Sequence, residues 1–377
     1  MTGSENGGPG RVLRRFVEHG TQVAAVERAG CAEYFLTLLP GPDTGFDAVC
    51  RELSGVARGL GAVPVSMEVF GVAAAASEGL NGIFGGVPLP VTWVEEGCCC
   101  PVPRCGVQVW AVAGASVEPV VLDGRVAGTV FDADGIRYCR LGGLVPGDLG
   151  RSRAEQTREI FDLMERALDA AGMDFSHTVR TWFYNRSMLE WYDEFNAVRT
   201  AFFRGRGVFD GLVPASTGIG GRNSAGAALT AGLLAVKGGA ETVRPFAVAS
   251  PLQCPAPAYG SSFSRAAEFS AGGVRRLYIS GTASIEPGGK SVHINDLDGQ
   301  IDLTMDVVGA ILESRRMDWR DVSRAVAYFK CGTRRGAFHR CLAERGIPEF
   351  PTLLTNTDIC RDDLLFELEL DAVAGGE

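Results

Sequence analysis

The chain has 377 residues, enough for two domains with sizeable cores, and its 46% hydrophobic and 21% charged residues suit a soluble globular protein. A formal net charge of -9 argues against a nucleic-acid partner, whose phosphates call for a basic surface. No run reaches the roughly 20 apolar residues of a membrane helix, so no membrane association is expected. The polar, Gly-rich start from Met1 to Arg11 lacks the apolar stretch of a signal peptide. Eleven cysteines, an odd number without a small-domain framework, fit a reducing compartment, and the expected location is the cytoplasm.

The first hundred residues give short signals. Gln22 to Arg28 and Ala32 to Leu39 read as strands, with a turn at Gly41-Pro42-Asp43. Phe46 to Leu60 has helical spacing, with Val49, Leu53 and Val56 on one side. Val63 to Gly71 alternates as a strand does. The cluster from Cys98 to Cys105 lacks the paired spacing of zinc ligands and reads as buried or incidental thiols, so no metal is expected. Gly106 to Val112 is a further strand, followed by a loop region to about Gly128.

From Val130 onward the chain is written twice. Gln156 to Met173 places Ile160, Leu163, Ala167 and Leu168 on one helical face, and Gln300 to Met317 repeats the pattern 144 residues later. Asp174 and Asp318, Arg180 and Arg324, and Tyr184 and Tyr328 match at the same offset. A strand follows each helix, Thr178 to Tyr184 and Val322 to Phe329. Second helices run from Met188 to Arg204 and from Gly336 to Arg345. Each half closes with a loop and strand, Ser216 to Val236 and Asn356 to Val373. The order predicts an α+β fold, a mixed sheet with its helices on one face. Lys237 to Glu241 reads as the linker, dividing residues 1–236 from residues 237–377.

The closing stretch carries the chemistry. Glu367, Glu369 and Asp371 share one face of an alternating strand, and Leu368, Leu370 and Ala372 the other. On pattern alone this is a half-exposed strand with a solvated acidic face. Aligning the closing Ala-Val pairs sets Thr230 opposite Glu367 and Gly232 opposite Glu369, so only the second copy keeps its acids. One active site per chain follows.

Two stretches resemble the RidA/YjgF family of small trimeric proteins: Ala154 to Gly172, and Ala256 to Ala266 leading to Tyr278-Ile279-Ser280-Gly281-Thr282. The resemblance implies two tandem RidA/YjgF-like (chorismate mutase-like) domains with an N-terminal extension; residues 1–105 are read as completing the first domain or capping the site. It also implies a substrate loop at Ser280 and Gly281, and an arginine that grips a carboxylate, Arg361 in the second copy and Arg222 in the first. Two fused copies imitate part of such a trimer, which predicts a monomer or a weak homo-oligomer.

From about Gly106 to Val373 the chain resembles a narrower group, the chorismatases. Arg180 to Tyr184, Phe195 to Thr200, Pro214 to Asn223 and Cys360 to Glu369 carry the likeness. It implies cleavage of chorismate into pyruvate and a cyclic acid without metal or cofactor, with Glu367 as the acid. Cys360, seven residues earlier, resembles the type that forms 3-hydroxybenzoate; another small residue there marks the type that forms a dihydroxycyclohexadiene carboxylate. Such an acid must hold its proton near pH 7, and burial among acidic neighbours achieves this. The substrate's two carboxylates call for arginine forks, here Arg222 and Arg361, with Arg199 on its helix belonging either to the site or to the surface. Thr217, Ser280 and Gly281 complete the expected substrate contacts, with Tyr184, which either hydrogen-bonds substrate or fills the core. Cys360 has no histidine motif linked to it and is read as shaping the pocket. RidA-like imine deamination and a non-catalytic binding role are the readings from other classes.

Overall fold

The structure is a computed structural model that describes residues 11–41, 44–71, 84, 86–95, 106–239, 243–330 and 335–376. The cysteines from Cys98 to Cys105 and the linker residues Ala240 and Glu241 lie outside them.

Three six-stranded mixed sheets share one strand order. The first comprises β1 (Leu13–Glu18), β2 (Thr21–Arg28), β3 (Cys31–Leu38), α1 (Phe46–Gly59), β4 (Val63–Phe70), β5 (Val91–Val94) and β6 (Gly106–Ala113). The second comprises β7 (Glu118–Leu122), β8 (Arg125–Ala133), β9 (Ile136–Leu144), α2 (Arg153–Ala170), β10 (Thr178–Asn185), α3 (Tyr192–Gly205), β11 (Ala215–Gly220) and β12 (Leu229–Lys237). The third comprises β13 (Phe246–Val248), β14 (Ala266–Ala271), β15 (Val274–Ala283), α4 (Leu297–Ser314), β16 (Val322–Phe329), α5 (Gly336–Glu344), β17 (Thr352–Asn356) and β18 (Phe366–Gly375). In each unit three antiparallel strands meet the last strand, which pairs antiparallel with a strand that carries a parallel neighbour at the edge.

The expected repeat holds, with two corrections. The N-terminal stretch is neither a cap nor part of the second sheet; its strands build a sheet of their own. The region read as a loop before Gly128 contains β7, an edge strand turned into β8 at Asp123-Gly124, both at positive φ. Pro119 and exposed positions along β7 hid its period-2 signal.

The long helices form where their apolar rows recur. α2 buries Ile160, Phe161, Met164, Ala167 and Leu168, and it starts at a capping box between Ser152 and Glu155, a motif that contributes about 1 kcal/mol. α4 repeats this with Ile301, Met305, Val308, Ile311 and Leu312. Three outer cores lie between these helices, α1 and their own sheets. The inner faces of all three sheets meet in a fourth, central core. Strand register makes Phe70, Tyr184 and Tyr328 equivalent, opposite Gly106, Thr230 and Glu367. The three rings pack together, with centroids 5.9 Å apart for Phe70 and Tyr184 and 6.3 Å for Phe70 and Tyr328.

This central packing overturns the solvated reading of the acidic strand. Both faces of β18 are covered, the leucines by α4 and the acids by the neighbouring sheets. Glu367, Glu369 and Asp371 are all buried. No helix among the described residues is long and apolar enough to cross a membrane.

Candidate active site

A cavity of about 520 Å³ opens where the second sheet meets the third. One wall comes from α3, with Asn196, Ala197, Arg199, Thr200 and Arg204. The segment before β14 adds Ser261, Phe263 and Arg265, β15 adds Gly281 and Ala283, and the loop before β18 adds Cys360 and Arg361. Glu367 forms the floor. The two sheets are stitched along this line by a bridge between Ala215 and Ser264 and by hydrogen bonds from Ser216 N to Ser280 Oγ (2.9 Å) and from Gly281 N to Thr217 Oγ1 (3.0 Å).

Ser280 and Gly281 form a bulge, since the register of β15 against β18 shifts between Ile279 and Thr282. The bulge brings backbone close to the acid: a Cβ on Gly281 would lie 2.0 Å from Glu367 Oε1. Gly281→Ala should therefore displace the carboxyl and lower turnover about 100-fold, the loss expected for a misplacement near 1 Å, with folding retained; steady-state kinetics beside a melting curve check it.

Burial pushes the Glu367 carboxyl up to about 8; the negative Glu369 adds to the effect, and Arg180 and Arg265 oppose it. Glu369 behaves oppositely. Burial alone would raise it, but Arg180 and Arg324, with the Thr217 hydroxyl, hold it below the ordinary carboxylate range. Its oxygens accept from Arg180 Nη2 (2.8 Å), Arg324 Nη2 (3.0 Å) and Trp182 Nε1 (3.2 Å). Neighbouring acids on one strand thus carry different charge at pH 7, one a proton donor and one a fixed anion. Burial and the neighbouring Glu367 push the Cys360 thiol up to about 12, so it stays protonated and is no ready nucleophile.

Of the residues expected from sequence, Arg199, Gly281, Cys360, Arg361 and Glu367 line the cavity. Arg199 is buried on α3, bonded to Asn196 Oδ1 at 2.6 Å and near the rings of Phe195 and Phe263. Arg361 sits at the mouth, donating to Gly289 O at 2.9 Å. Thr217 and Ser280 stand behind the lining, fixing Arg180 and β11. Two expected ligands lie elsewhere. Arg222 is drawn to the join of the first and second sheets, where its backbone bridges Glu95 and its half-exposed side chain lies 3.9 Å from that carboxylate. Tyr184 points into the central core, as the period of β10 dictates for the face it shares with Arg180 and Trp182.

Arg265, Arg204 and Phe263 were missed. Arg265 stands at the end of the Ala256 to Ala266 stretch, where its charge beside a strand start was the available signal; its guanidinium is buried and donates twice to Cys254 O, at 3.0 and 2.9 Å. The register positions equivalent to Glu367 at the other two joins hold Gly106 and Thr230, neither of them an acid. Leu353 fills the space beside Gly106, and Thr230 donates to Leu144 O at 3.0 Å.

The chain has the fold of a chorismatase, α+β with three repeated sheet units. A solved chorismatase superposes over 90% of this chain and 98% of its own, with TM-score 0.62 and 21% identity. In sequence the chain is similar to the chorismatase of Streptomyces hygroscopicus, 30% identical over 210 residues that cover 50% of this chain and 60% of that protein. It is 28% identical over 232 residues to the chorismatase of Streptomyces rapamycinicus, covering 56% of this chain and 66% of the other. The matches thus span about two thirds or less of each curated relative. No family model matches.

Proposed function

We propose that the chain cleaves chorismate into pyruvate and 3-hydroxybenzoate. The observation that carries this reading is Glu367, a carboxyl that keeps its proton at neutral pH on the floor of an arginine-lined cavity. Likeness to two chorismatases supports the substrate.

Chorismate is a small dianion, and guanidinium groups from α3, the segment before β14 and the loop before β18 surround the space it would fill. Glu367 protonates the terminal methylene of the enolpyruvyl ether, leaving an oxocarbenium-like centre. The ring hydroxyl then displaces the enolpyruvyl oxygen within the molecule, and the resulting epoxide opens and aromatises, returning one proton. Pyruvate and 3-hydroxybenzoate together hold all the atoms of chorismate, so this branch consumes no water. Water attack on the ring would give the dihydroxycyclohexadiene carboxylate instead. Cys360, half-buried and uncharged beside Glu367, keeps water from the ring carbon by filling space.

Incubation of the purified chain with chorismate alone, followed by chromatography, tests this. Equal amounts of pyruvate and 3-hydroxybenzoate are expected, and Cys360→Ala should raise the share of diol. Pyruvate with diol from the unaltered chain would overturn the branch, and absence of pyruvate the whole reading.

A further inference from the structure

We propose that Glu369 is a positioning residue whose fixed negative charge, held by arginines from two sheets, keeps Glu367 a proton donor. The inference rests on the function just proposed and assigns a part to a carboxylate that does not line the cavity. Glu369 lies two residues along β18 from Glu367 on the same inner face, fully buried. Its partners come from different units: Arg180 and Trp182 from β10, Arg324 from β16. Thr217 of β11 links this cluster to the acid's own contact, because its hydroxyl oxygen accepts from both Arg180 (2.6 Å) and Gly281 N.

A buried anion so heavily bonded is fixed in place and stays charged. The charged groups acting on Glu367 are Glu369, Arg180 from β10 and Arg265 from the segment before β14, while Cys360 and Tyr328 of β16 face it with their protons on. Asp371, further along β18, shares Arg324 at 3.0 Å. Arg180 and Arg265 alone would draw the proton off Glu367 and leave a carboxylate unable to protonate carbon. Glu369 offsets them at short range, so Arg180 can join the second sheet to the third without ionising the acid.

The test compares the unaltered chain with Glu369→Gln and Glu369→Asp. Two readouts serve: the pH profile of kcat/KM, and the carboxyl resonance of Glu367 in carboxyl-13C-glutamate-labelled protein. Glu369→Gln should lower the Glu367 midpoint by at least one pH unit, a tenfold loss of proton affinity, and Glu369→Asp should restore it. Arg180→Gln should move the midpoint upward, and this decides the matter if Glu369→Gln does not fold. A folded Glu369→Gln protein with an unmoved midpoint, or an unmoved midpoint in Arg180→Gln, would overturn the proposal. If the chorismate reading itself fails, the unaltered chain releases no pyruvate, while the resonance titration still reports the coupling.

Discussion

Glu367→Gln should reduce pyruvate release roughly 1,000-fold or more, within the range general acid catalysis supplies, while the melting temperature stays level or rises. The amide fills the same volume against Gly281 but has no proton to give. The fold should not suffer, because the carboxyl is buried with its proton on and makes no ion pair that the amide would break. The unaltered chain should lose activity as pH rises through about 8, where the acid ionises, and hold it below. The same group gives stability a pH dependence. Its proton is bound more tightly folded than unfolded, so its contribution is complete below the ordinary value of 4.5 and lost as pH rises through about 8. Glu367→Gln should flatten that decline, and melts at pH 5 and pH 9 would show it.

The largest stability loss should come from Arg180→Met, about 3–5 kcal/mol in a urea titration. Arg180 is fully buried, reaches from the second sheet to Glu369 of the third, and also donates to Thr217. Without it Glu369 is left partly uncompensated away from water, and the join between the sheets loses its central bond. Arg14→Met, at a pair with both side chains substantially exposed, should barely move the titration. Equal losses in the two variants would show that the buried ion network does not hold the join.

The helices and the acidic strand were legible because period and spacing are local properties. The offset of 144 residues aligned Arg180 with Arg324, and Thr230 was set opposite Glu367 by sequence alone; the strand registers agree. What local pattern could not show is that the acidic face meets other sheets. Period 2 says that two faces differ, not which one water covers, and the pairing of Glu369 with Arg180 joins residues far apart in the chain. The signal available was that both arginines sit in otherwise apolar strands, positions that demand a buried anion. Most elements of the first sheet were read one by one, but not as a third unit. Its inward positions carry Glu33, Glu68 and Gln108, which bond to Arg28, Arg140 and Arg324, residues distant or unmarked in the local pattern.

Carrying three units in one chain changes how the joins between them can diverge. In a ring of identical subunits a substitution is copied into every interface at once, so a residue useful at one must be tolerable at all. Here Gly106, Thr230 and Glu367 occupy the same register position as three independent letters of one gene. Two joins could do without an acid at that position, which lies beside Leu353 in one and is bonded to the Leu144 carbonyl in the other. The third could keep an uncomfortable buried acid without tripling its cost.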